Sequence, residues 1–122
     1  PADPVVPGEV GGSDEDCSVH RDGFTGIQDI DFDPNTGRLY VYELAADGVF
    51  AFEAGFETGE FPPAVLLEVK RNGWVELAAG QLSEPGGIIV GRDSKVFVTD
   101  NVFSDFIDGD FVDNGRLVRV VG

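Results

Sequence analysis

IQDIDFDPNTGRLYVYE, residues 27–43, and PGGIIVGRDSKVFVTD, residues 85–100, are two statements of one pattern. Each opens on a short apolar strand, 30–32 in the first copy and 88–90 in the second. A tight polar turn follows, 33–37 or 91–94, and then an alternating strand that closes on an acid, Glu43 or Asp100. In the first turn Pro34 presets φ at the second position and Gly37 takes the left-handed geometry. The copies lie about 58 residues apart, beyond the roughly 40–50 residues of a propeller blade, as expected if a loop has been inserted.

Working outward, Ile27, Ile30 and Phe32 form the inner strand of the first copy, with Asp29, Asp31 and Asp33 on its other side. Leu39 and Val41 alternate with Tyr40 and Tyr42, as in a strand buried on both faces. Residues 48–52, GVFAF, are expected to form a third strand. Residues 55–63 are expected to be an inserted loop tucked down by Phe56 and Phe61. AVLLEVK (64–70), a turn at 71–73 and WVELAA (74–79) make a β-hairpin with Asn-Gly at its corner, the second strand lying on the outer side. Pro85-Gly86-Gly87 opens the second copy, and RLVRV (116–120) matches 66–69 in pattern. No fourth strand is legible after it. Strand, turn, strand and Gly-led strand in repeat give the expected fold class: all-β, about two antiparallel four-stranded β-propeller blades. Two blades cannot close a ring, so completion is expected from self-association or a missing segment. The expected organisation is an extended acidic arm at 1–23, a first blade with inserted loop and hairpin at 24–84, and an incomplete second blade at 85–122.

Composition agrees with a β fold. Of 122 residues 42% are apolar; ten Phe stand against one Trp and no Met, and 17 Gly with seven Pro supply many turns. The net charge of −15, from 23 Asp and Glu against eight Lys and Arg, disfavours nucleic acid and anionic lipid as partners. No apolar run approaches the ~18 residues that span a bilayer. The sequence starts PADPVVPGEV without Met, and is read as a processed chain, a fragment or part of a longer product. Val5, Val6 and Val10 offer an edge strand within the arm. Cys17 is the only cysteine and has no intrachain partner for a disulfide.

The run GGIIVGRDSKVFVTDN…GRLVRV, preceded by WVELAAGQLSEPGG, resembles the ScyD/ScyE family of secreted bacterial proteins, related to NHL-type propellers. Gly86-Gly87, Val96-Phe97-Val98 and Gly115-Arg116-Leu117 carry the resemblance, which covers residues 24–120. It implies a multi-bladed propeller, an exported, extracellular protein and no established catalytic residues. Members of the family carry several more blades ahead of such a segment.

For chemistry, the strongest candidate is residues 100–114, DNVFSDFIDGDFVDN, where Asp105, Asp108, Asp110 and Asp113 crowd around Gly109. Such a set offers the hard oxygen ligands that calcium takes, although the spacing is not that of an EF-hand. The competing reading is a solvated acidic loop anchored by Phe103, Phe106 and Phe111. The ladder Asp29, Asp31, Asp33 has two readings as well: channel carboxylates around a cation, or acceptors for turn and interblade amides, the second being favoured. Trp74 with Tyr40 and Tyr42 suggests a sugar platform, against which stands the usual core role of strand aromatics. His20, the only histidine, lies in the arm beside Arg21 and reads as a surface residue. Nucleophile-elbow spacing, a Walker motif and CxxC are all absent from the sequence.

The sequence therefore points to a non-catalytic, extracellular module for binding or assembly, a structural or self-assembling component of a filament or surface layer. Its partners would be itself, by strand pairing, or the remaining blades of a longer propeller, with no nucleic acid and no membrane insertion. No cofactor is expected unless calcium occupies the acidic loop. The alternatives are a metal-dependent lactonase or lyase of propeller type and a calcium-ordered adhesive protein.

Overall fold

A computed structural model of the chain describes residues 18–103 and 114–121. The protein is mostly β, in two antiparallel sheets. Sheet 1 is a meander of β1 (Ile27–Phe32), β2 (Leu39–Glu43), β3 (Val65–Lys70) and β4 (Gly73–Leu77), in that spatial order. Sheet 2 repeats the plan with β5 (Ile88–Val90), β6 (Val96–Asp100) and β7 (Arg116–Val120). Two short helices, α1 (Val49–Glu53) and α2 (Gly55–Thr58), interrupt the passage from β2 to β3.

The turns form where their residues dictate. Gly37 adopts φ 75, and its N–H donates to the Asp33 carbonyl at 2.8 Å, while the Asp33 N–H donates to the Arg38 carbonyl at 2.8 Å. In the second copy the Gly91 N–H donates to the Lys95 carbonyl at 2.8 Å, closing the equivalent corner. Arg71 and Asn72 turn β3 into β4, with Lys70 opposite Gly73.

Period-two alternation divides β2 between two cores. Tyr40 and Tyr42, with Leu66 of β3, face sheet 2 and pack on Ile88, Val90, Val96 and Val98. Leu39 and Val41 face the opposite way and pack with Val65, Leu67 and Phe24. All five residues of β2 are buried, so this strand lies between two layers as its alternation requires. Each such aliphatic side chain contributes about 1.5–3 kcal/mol on full burial. The Tyr42 hydroxyl, inside the first core, donates to the Thr99 carbonyl of sheet 2 at 3.0 Å. Burial pushes this phenol well above its ordinary value, so it remains a donor.

One sequence expectation is corrected. Residues 48–52 are not a third strand; 49–53 form α1, and β3 and β4 of the hairpin supply the third and fourth strands of sheet 1. A strand would place Phe50 and Phe52 on one face, yet Phe50 is 87% exposed and Phe52 only 5%. Helical spacing instead brings Phe52 to Phe56 at 5.9 Å between ring centroids. Phe61 and Phe103 join them, at 4.7 and 5.9 Å from Phe52. The expected tucking by Phe56 and Phe61 is thus present, and it pins a helical insertion.

Of the arm, residues from 18 onward are described. Phe24 lies on Trp74 with centroids 5.0 Å apart, His20 stands edge-on to Phe32 at 6.3 Å, and Arg21 Nη2 donates to the carbonyls of Lys70 and Arg71. This segment lies on the face of sheet 1 that looks away from sheet 2. Val5, Val6, Val10 and Cys17 fall outside the described residues.

Candidate functional site

The acids singled out on β1 form a junction between the sheets. Asp29 Oδ1 accepts the N–H of Ile30 at 2.9 Å and its Oδ2 accepts the N–H of Ile88 at 2.9 Å. Asp31 repeats the arrangement one step along, Oδ1 accepting from Phe32 at 2.9 Å and Oδ2 from Val90 at 2.7 Å. The geometry follows from the pleat. Same-face residues of β1 and same-edge amides of β5 both recur every two residues, about 6.6 Å, so two carboxylates meet two N–H groups in register. They occupy the place a neighbouring strand would take beside β5. Gly87 permits the approach, since a Cβ there would stand 3.1 Å from Asp29 Oδ2.

Asp33 completes the row by joining the two turns. It is buried, and its Oδ1 accepts from the Asn35 N–H at 2.8 Å and the Ser94 hydroxyl at 2.9 Å. The Asn35 amide donates back across the gap to Ser94 Oγ at 2.9 Å. The Asn35 N–H, with the Ser94 hydroxyl assisting, holds the Asp33 carboxyl below its ordinary value of 3.8 despite burial. Of the two readings of this ladder, amide acceptance between sheets describes what these oxygens do.

The acids that close β2 and β6 have a shared task. Glu43, 4% exposed, accepts through Oε2 from the Thr25 N–H at 2.6 Å, the Thr25 hydroxyl at 2.9 Å and the Gly26 N–H at 3.3 Å. Asp100, fully buried, accepts through Oδ2 from the Ser83 N–H at 3.2 Å. Gly26 and Ser83 occupy matching places in the two copies, each N–H donating to the acid and each carbonyl accepting from the residue that follows that acid, so each acid fastens the segment that enters its own sheet. Beyond this the copies part. Asp100 is opposite Arg116 on β7, which donates from Nε to Oδ1 at 2.9 Å and from Nη2 to Oδ2 at 2.7 Å. This pairing raises the Arg116 guanidinium above its ordinary value. Glu43 is opposite Val65 and pairs with no cation among the described residues.

Glu43 also lines a cleft of about 400 Å³ on the outer face of sheet 1, with Thr25, Val65, Leu67, Trp74 and Glu76 among its walls. Trp74 is 46% exposed there. Tyr40 and Tyr42 are buried on the opposite face, so the three aromatics do not form one platform. The sequence signal for this cleft was the acid that closes each alternating strand; its difference between copies is visible only once Val65 and Arg116 are placed opposite those acids.

Asp105, Asp108, Asp110 and Asp113, the calcium candidates, lie outside the described residues, as do Phe106 and Phe111. Among the described residues no group of three or more His, Cys, Asp or Glu side chains is placed to hold a metal ion. Nor is any described helix long and apolar enough to cross a membrane. His20 is exposed and borders Phe32. Compared with protein-family models, curated proteins and solved structures, the chain has no match.

Proposed function

We propose that this chain is a non-catalytic binding and assembly module made of two propeller-type blades, in keeping with its resemblance to the secreted ScyD/ScyE proteins. One observation carries the reading: the two sheets are copies stacked head to tail. The face of sheet 1 bearing Tyr40, Tyr42 and Leu66 covers the inner face of sheet 2. The corresponding outer face of sheet 2 presents Ile89 at 61% and Leu117 at 71% exposure, beside Phe97. A contact that joins unlike faces of like units has no internal stopping point, and this is the geometry from which rings and filaments grow. The β7 edge, unpaired among the described residues, supports the same reading, because an open edge is a template for another strand.

The test is the solution mass of the chain across a concentration series, by light scattering, for wild type and Leu117→Asp. The expected result is a multimer or polymer that the charge at 117 dissociates. A monomer at every concentration contradicts assembly. Repeating the series in chelator tests calcium at Asp105, Asp108, Asp110 and Asp113: calcium ordering requires the mass or the melting temperature to fall.

A further inference from the structure

The two copies of the meander differ at one point that names a ligand. In sheet 2 the acid at the end of β6 holds a guanidinium, that of Arg116, in a two-pronged contact with both Asp100 oxygens. In sheet 1 the matching acid, Glu43, holds none among the described residues, because the matching position across the ladder is Val65. Glu43 Oε2 is taken by Thr25 and Gly26, and Oε1 accepts no hydrogen bond among the described residues. Every fully buried side-chain oxygen in the described residues has a partner, so Oε1 retains contact with solvent, through the cleft that Glu43 lines. Glu43 is 4% exposed, and its remaining oxygen opens on the cleft, where a charged donor makes a stronger hydrogen bond than water does.

The rest of the cleft suits the same chemistry. Val65 and Leu67 form an apolar floor, Glu76 adds a second carboxylate at the rim, and Trp74, against which Phe24 packs, keeps 46% of its surface exposed and lines the cleft. A planar cation is favoured over the face of an indole, and the fork of a guanidinium matches a carboxylate. The protein's net charge of −15 draws cations towards it.

We infer that the Glu43–Trp74 cleft is a binding site for a guanidinium group, filled from outside in sheet 1 as Arg116 fills its counterpart from within sheet 2. The guanidinium belongs either to an arginine side chain of a partner, a second copy of this chain included, or to a small free guanidinium compound. This deepens the binding reading by naming the chemistry of what is bound. Its test titrates the cleft of dilute protein, where copies of the chain are apart, so its failure is distinguishable from a failure of assembly.

Trp74 is the only tryptophan, and its fluorescence reports on the cleft directly. The titrants are n-butylguanidinium and its neutral counterpart n-butylurea. The expected result is saturable quenching by n-butylguanidinium with Kd on the order of 1 mM, and binding of n-butylurea at least about tenfold weaker. Glu43→Gln keeps an acceptor for Thr25 and Gly26 and is expected to weaken n-butylguanidinium by at least about tenfold. Val65→Arg supplies the internal guanidinium that sheet 2 already has, and is expected to raise Tm and abolish uptake. Equal binding of the urea, or undiminished uptake by Val65→Arg, overturns the proposal; if either variant fails to fold, the wild-type contrast between the two titrants decides. A solution mass that falls in Val65→Arg assigns the guanidinium to a second copy, and an unchanged mass assigns it to a separate partner or a free compound.

Discussion

Sheet 1 and sheet 2 share strand order, turn placement and the acid that fastens each entry segment, yet their charges are distributed differently. Sheet 1 carries the carboxylates that dock its neighbour, Asp29 and Asp31, where sheet 2 has Gly87 and Ile89. Sheet 2 neutralises its buried acid with Arg116, where sheet 1 has Val65. Backbone architecture has been repeated while the electrostatics have been divided: one copy reaches out, the other is closed upon itself. Positions that differ within matched backbone are therefore where function is to be sought, and they lead to Glu43, to Asp29 and Asp31, and to the exposed face of Ile89 and Leu117.

The largest expected effect comes from breaking the closed copy. Asp100→Ala leaves Arg116 without its partner and the Ser83 N–H without its acceptor, and is expected to cost about 3 kcal/mol, read as a fall in Tm. That figure lies at the low end for a buried pair because the Arg116 side chain is half exposed. A cost below that of Glu43→Gln would show that the two acids are not distinguished as described.

Next comes the junction. Asp31→Ala removes the acceptor for Val90 and Phe32 N–H together and is expected to destabilise by about 1–2 kcal/mol in denaturant melts. Gly87→Ala acts on the same junction from the other side, pressing on Asp29 Oδ2, with a cost of about 1 kcal/mol and less when combined with Asp29→Ala, because the crowded oxygen is then gone. Additive costs would contradict a shared contact.

Acid should loosen the joined turns. Asp33 has its folded value held below 3.8 by the Asn35 amide, so its contribution is present above that ordinary value and is lost as pH falls through the lowered one. Glu68 follows the same sign, held below 4.5 chiefly by its bond to Lys70. Tm should therefore decline as pH drops below about 4, and Asp33→Asn should flatten part of that slope. The smallest effect belongs to Arg38→Ala, whose half-exposed side chain pairs with Glu68 at 3.1 Å; a change of about 0.5 kcal/mol or less in Tm-derived stability is expected.

Much of this architecture was readable in the chain. The strand-turn-strand repeat was legible because period-two alternation around Asp33-Pro34-Asn35-Thr36-Gly37 leaves few other conformations, and Asn72-Gly73 marked the β3–β4 corner. Residues 48–52 misled because Phe50 and Phe52 alternate like a strand, whereas Phe61 and Phe103, distant in sequence, select the helix by giving Phe52 a pocket. The docking role of Asp29 and Asp31 was legible as a choice between amides and a cation, since either satisfies a carboxylate row on a strand. What decides between them is the position of β5, which local pattern does not encode. The cleft at Glu43 was illegible for the same reason: its meaning depends on which residue stands across the ladder.

The most direct test of the central claim, that carboxylates of one copy stand in for a strand beside the other, is amide hydrogen exchange at Ile88 and Val90. In wild type both amides should be protected like those of β6, and in Asp29→Ala/Asp31→Ala both should exchange much faster while the β6 amides keep their protection. Fast exchange at Ile88 and Val90 in the wild-type protein, or protection unchanged in the double variant, would contradict the account.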